Sequence, residues 1–214
     1  MLPTFTLEQF LEMMASYNQT FWPLQLVAYG LGIIAVFLAV KNTKHSGKII
    51  SAILALFWLW VGLIFNLAYF SPLYPIAYLF VPLFVIQAGF LVRLGVFKGT
   101  LSFIVKADIH GLLGALLVLY SMTGYPVIEV LLGRGYPSSL PFGLVPCPLT
   151  VFTLGILLWS KEKPSWYVFA IPVLYSLSGV IPISIGIVED AGLVAAGLVT
   201  IFIISTWDRA RKEA

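Results

Sequence analysis

Between Ile49 and Val92 the chain has no Asp, Glu, Lys or Arg. Charged residues make up 10% of the whole, against about 25% in soluble domains. The uncharged stretch is about twice the ~20 residues that one membrane-crossing helix requires. Ser71–Pro75 (SPLYP) breaks it in the middle, so it reads as two crossings joined by a tight turn. Cysteine is nearly absent. The single Cys147 excludes an intrachain disulfide and any Cys-Cys metal motif. No phosphate-binding Gly-rich loop, His-Glu-x-x-His or Gly-x-Ser-x-Gly occurs, so the common signatures of enzyme sites are missing. The last apolar run has no lysine, which removes the Schiff base that a seven-helix retinal protein needs. No connection between apolar runs is long enough for a soluble domain, so any chemistry must lie within a bundle or at its rims.

What is present is a series of apolar runs. They predict an all-α polytopic membrane protein, a single domain over 1–214 with seven transmembrane helices near 22–40, 49–70, 73–93, 109–131, 146–160, 165–187 and 190–207. Positive residues fall on alternate connections. Lys41, Lys44 and Lys48 follow the first span, and Arg93, Lys98 and Lys106 the third. Lys161 and Lys163 follow the fifth, and Arg209, Arg211 and Lys212 the seventh. Only Arg134 lies on the other side. The positive-inside rule then places the C-terminus in the cytoplasm and the N-terminus outside a cell membrane. The formal charge of +3 is therefore a matter of topology and points to no nucleic acid. Partners compatible with this plan are the lipid bilayer, a small solute or cation, and a second copy of the chain.

Residues 5–20 predict a short interfacial amphipathic helix before the first span. Thr6 is placed as N-cap, Gln9 closes a capping box, and Phe5 staples onto Phe10. Leu7, Phe10, Leu11, Met14 and Tyr17 share one face. An internal repeat is also legible. Span one opens PLQLVAYG (Pro23–Gly30) and span five PLTVFTLG (Pro148–Gly155). The next spans pair Trp58 with Gly62 and Tyr175 with Gly179. Spans one to three and five to seven would then form parallel triplets around a linking span four. Such a 3+1+3 plan is similar to that of SWEET-type transporters.

Polar residues inside the spans are candidates for function. Asn66, Gln87, Thr150 and Ser176 are read as lining a solute site near the midplane, or else as helix-to-helix hydrogen bonds. Glu189 and Asp190 open span seven and are read as a cation or proton site, or as helix caps, the role also given to Asp108. Glu129 sits in the last turn of span four, where the helix dipole opposes it, with Arg134 as its nearest counter-charge in sequence. In VPCPLT, Pro148 biases Cys147 toward extended backbone just before span five. The Tyr136–Pro148 loop, swung by a bend at Tyr125-Pro126, would shelter Cys147, Glu189 and Asp190 from bulk water.

The stretch YPSSLPFGLVPCPLTVFTLGILL, with Pro172 and EDAGLVAAG at 189–197, resembles an uncharacterised family of prokaryotic multi-pass membrane proteins. The resemblance runs from LEQF at Leu7 to the last span. It implies the fold and a prokaryotic membrane, and it implies no reaction or cofactor. The leading functional reading is a transporter or channel-like protein for an ion or small solute. A second is a membrane enzyme or metal/redox-handling protein using Cys147 with Glu129, Glu189 and Asp190. A third is a membrane subunit or assembly factor.

Overall fold

The computed structural model describes residues 5–210; the side chain of Arg209, and Arg211 and Lys212 entirely, lie outside the described residues. Among the described residues seven apolar helices follow one another: α1 (Leu7–Lys41), α2 (Ser46–Leu73), α3 (Ala77–Phe97), α4 (Ile109–Leu131), α5 (Pro146–Leu158), α6 (Trp166–Ser184) and α7 (Val188–Trp207). Six are long and apolar enough to cross a membrane, and α5 is the exception. At 1.5 Å per residue its 13 residues reach only about 20 Å. The described residues contain no strand, only one isolated bridge between Phe103 and Ser160.

Local chemistry sets the helix starts. The Thr6 hydroxyl accepts from Gln9 N–H at 3.3 Å, and the Gln9 side chain accepts from Thr6 N–H at 2.9 Å. The Phe5 and Phe10 rings stack at 6.1 Å. Asp108 caps α4 by accepting from Gly111 N–H at 2.8 Å. Cys147 does not stand on extended backbone ahead of span five. Val145, not Cys147, takes the extended backbone that a following proline imposes (φ −126°, ψ 156°). Helix α5 then opens at Pro146, so Cys147 lies inside its first turn. Pro146 and Pro148 both fit there, because first-turn N–H groups have no helical acceptor.

The expected interfacial helix is the first part of α1. Phe21 breaks the helical geometry (φ −112°, ψ 19°) two residues before Pro23. Pro23 has no N–H for the preceding turn and crowds it. The apolar face before this break does not lie free on a surface: Phe10, Met14 and Tyr17 are buried against one end of the bundle.

Every residue of α5 is buried. A helix apolar all round has no side to give to solvent, and here it forms the axis, packed against α2, α4, α6 and α7. Connections fold inward at both of its ends. At the lysine-rich end Leu101 and Phe103 are buried, and Ile104 N–H donates to Trp159 O at 2.8 Å. At the other end residues 140–145 are buried. The perimeter is apolar, with Leu26, Ile33 and Phe37 of α1 and Leu112, Leu116 and Leu119 of α4 exposed.

Helices α4 and α5 approach closely at two glycines. A Cβ on Gly155 would stand 2.9 Å from Gly114 O, and one on Gly114 would stand 2.5 Å from Trp159 Nε1. Gly30, which the repeat reading pairs with Gly155, has open space around it. The first members of the two expected triplets therefore sit in unlike surroundings, α1 at the rim and α5 at the axis.

Candidate functional site

The site lies at the end of the bundle where α1 begins. It is assembled around the 132–145 connection. Helix α4 widens at Tyr120–Gly124, where Tyr125 N–H bonds back to Tyr120 O in an i→i+5 turn. The wider turn stands just before Pro126, which cannot donate. Beyond it Glu129 is carried to a buried position, 1% exposed, and its Oε1 accepts from Leu140 N–H at 2.7 Å. Asn18 of α1 holds the same connection from the other side. Its Nδ2 donates to Pro137 O at 2.5 Å and to Ser139 O at 2.6 Å. Tyr17 donates to Leu144 O at 2.7 Å while accepting from Trp60 Nε1 at 2.8 Å. The connection is thus tied to α1 and α4, and through Tyr17 to α2, and its residues 140–145 pack inside the bundle.

Beneath it, α7 starts with a 3₁₀ turn, Val188–Asp190. Neither acid in that turn acts as a helix cap. Glu189 pairs with Arg134, with Arg134 Nη2 donating to Glu189 Oε2 at 2.7 Å. Arg134 Nη1 also donates to Gly186 O at 3.0 Å. Glu129, the nearest acid in sequence, accepts from Arg134 N–H at its backbone carbonyl, at 2.7 Å, while the guanidinium pairs with the Glu189 carboxylate. Asp190 is fully buried, and its Oδ1 accepts from the Tyr125 hydroxyl at 2.9 Å. The Cys147 thiol is its other side-chain neighbour. Even so, Asp190 Oδ2 has no well-formed hydrogen bond. The thiol also lies 3.7 Å from the Tyr175 hydroxyl. Cys147, Asp190, Tyr125 and Tyr175, from α5, α7, α4 and α6, form one cluster.

A cavity with about 50 Å³ of room for water opens onto this cluster. Asp190, Cys147 and Tyr175 line one side. Phe5, Phe10, Phe65, Phe70, Tyr74 and Phe80 supply aromatic wall. The rings brace one another, with Phe5–Tyr74 at 5.2 Å, Phe65–Phe70 at 5.7 Å and Phe80–Tyr175 at 5.4 Å between centroids. Phe5, Phe10 and Met14 close the cavity from the α1 side. Glu129, Glu189 and Asp190 are within electrostatic reach of one another and of Arg134. Three carboxylates thus share one guanidinium.

The midplane candidates are placed differently. Gln87 Nε2 donates to Val168 O at 3.0 Å, tying α3 to α6. Ser176 donates to Val173 O at 2.7 Å. Asn66 and Thr150 are fully buried, and their side-chain polar atoms have no hydrogen-bond partner. No hydrogen bond among the described residues joins any two of these four. Among the described residues no group of three His, Cys, Asp or Glu side chains is arranged to hold a metal ion.

Sequence reasoning missed Tyr125 as the partner of Asp190, and the aromatic wall. The isolation of Arg134 among the positive charges was a usable signal. A lone cation on the acidic side has three buried acids competing for it.

Six helices of this length and composition, around a buried axis, define a polytopic α-helical membrane protein. The chain belongs to a family of unknown function, DUF6064, whose family model matches residues 7–213. No curated protein and no solved structure matches it.

Proposed function

We propose that this protein binds a small solute in the cavity beside Cys147 and Asp190, as a carrier or channel-like protein of a cell membrane. The reading takes all seven helices as crossings, the short α5 extended at both ends by inward-folded connections. It places the N-terminus outside, because the connections carrying Lys41 to Lys48, Arg93 to Lys106 and Lys161 to Lys163 share one end of the bundle. The cavity then opens toward the outer face. One observation carries the reading: an aromatic-walled cavity with a buried carboxylate in its lining. It favours this end over the midplane set Asn66, Gln87, Thr150 and Ser176.

The first part of α1 acts as the lid. It supplies Phe5, Phe10 and Met14 to the cavity wall and meets the spanning part at the Phe21 break. Breaks of this kind, at a few residues near an element end, absorb the dihedral change of closure. Cys147 reports on the lid directly, since it lines the cavity and is the chain's one thiol. In Phe10→Ala protein, neutral methyl methanethiosulfonate is expected to modify Cys147 roughly tenfold faster than in wild type, as for an opening made easier by about 1.4 kcal/mol. Equal rates in the two proteins would remove the lid, and a Cys147 inert in both would remove the cavity as a site.

A further inference from the structure

We infer that the cavity takes a small primary alkylammonium ion, its nitrogen on Asp190 and its alkyl chain against the aromatic wall. This deepens the solute-binding reading above and rests on it.

The anchor is Asp190 Oδ2. Asp190 is fully buried and lines the cavity. Its Oδ1 is engaged by Tyr125, the Cys147 thiol stands beside the carboxylate, and Oδ2 has no well-formed hydrogen bond. Leaving a buried acceptor unmet is costly, and more so when the group is charged. A ligand with N–H donors removes that cost. The charge count asks for a cation as well. Arg134 is committed to Glu189 Oε2 and Gly186 O, so no cation among the described residues forms a salt bridge with Asp190.

The rest of the lining decides which cation. A calcium-like ion needs about six to eight oxygen ligands and a magnesium-like ion near-ideal octahedral geometry. The side chains here offer one carboxylate, the Tyr74, Tyr175 and Ser178 hydroxyls and a thiol among rings, prolines and aliphatics. Rings favour an organic cation, because the quadrupole of an aromatic face attracts an ammonium. A quaternary ammonium has no N–H to give Oδ2, whereas a primary one has three donors. The small cavity restricts the chain to a few carbons. The same ammonium chemistry occurs on an ethanolamine lipid headgroup, and the test separates that source from a free amine.

The test uses the full-length protein in phosphatidylcholine nanodiscs, with modification of Cys147 by methyl methanethiosulfonate as the readout. n-Propylammonium is expected to slow modification roughly tenfold at ten times its Kd, by occupancy of the site. n-Propanol, of similar shape but neutral, and tetramethylammonium, charged but without N–H, are expected to protect far less. Asp190→Asn should abolish protection by n-propylammonium while modification without probe persists. The comparison of probes on wild type stands even if that variant does not fold. Slow modification on adding phosphatidylethanolamine alone assigns the ammonium to the lipid. Equal protection by n-propanol, or by tetramethylammonium, overturns the primary-ammonium inference and leaves the cavity as a site. Modification that no probe slows, with Phe10→Ala also without effect, overturns the solute-binding reading itself.

Discussion

Arg134→Met is expected to destabilise the folded protein by on the order of 3 kcal/mol, the cost of leaving one partner of a buried ion pair alone. Glu189 is the stranded partner. Its side chain has no exposure, and the 2.7 Å contact to Arg134 is its one salt bridge. The Arg134 side chain is only 12% exposed, so solvent does little to screen the pair. Asp190 and Glu129, already within electrostatic reach of Glu189, would add repulsion that nothing offsets. Arg134 also fastens Gly186 O, so the turn that leads into α7 loosens with it. The double variant Arg134→Met/Glu189→Gln is expected to recover more than half of the loss, since the unpaired charge is then gone. Midpoints of thermal or denaturant unfolding in detergent, compared across the four proteins of the cycle, give the coupling. Equal losses in the single and double variants would show that Arg134 acts through packing and not through Glu189.

The second large effect is expected at Gly155. Val at this position puts a branched side chain where a Cβ already meets Gly114 O at 2.9 Å, Val118 Cγ2 at 3.0 Å and Leu117 Cβ at 3.1 Å. A backbone oxygen in a packed helix cannot turn aside, so α4 and α5 must separate. Overpacking of this kind typically costs about 1–3 kcal/mol. Gly155→Val falls at the upper end of that range, because α5 is enclosed on every side. Gly30→Ala is the matched control. Its Cβ meets nothing within 4 Å, and replacing a helical glycine with alanine gains about 0.5–1 kcal/mol. Size-exclusion profiles and melting midpoints of the two variants check both signs. Similar losses at the two sites would restore the case for equivalent triplets that their surroundings now weaken.

The contrast between these glycines shows what the sequence could and could not reveal. Local chemistry was legible. Thr6 with Gln9, Asp108 before α4, and Pro146 with Pro148 each act within one helical turn, so spacing alone announces them. The apolar runs declared a membrane protein for the same reason. The partner of Arg134 was not legible, because Glu189 is 55 positions away while Glu129 is five. Proximity along the chain favoured the wrong acid. The aromatic wall draws on the start of α1, the widened end of α2, α3 and α6, and no one segment carries its pattern. The axial place of α5 did have a signal. A short run with no polar face has no side for water, and its shortness fits a helix whose ends are covered by protein.

The fate of Asp190 followed from the same limit. Read in sequence, Glu189 and Asp190 are a natural start for α7, where acids suit the helix dipole. In the fold they part company: Glu189 turns to Arg134, and Asp190 to Tyr125 and the cavity. Adjacent residues point to different neighbours on a 3₁₀ turn, and only the packing of α4 against α7 determines which acid is neutralised.

The account stands most directly on the sidedness of Cys147. Phe10→Ala protein would be placed in sealed right-side-out and inside-out vesicles and treated with a charged, membrane-impermeant methanethiosulfonate. No cysteine-free background is needed, because Cys147 is the one thiol in the chain. The account predicts modification in right-side-out vesicles, where the α1 lid and the cavity face the reagent, and none in inside-out vesicles. Modification from the lysine-rich face, or from neither face, would contradict it.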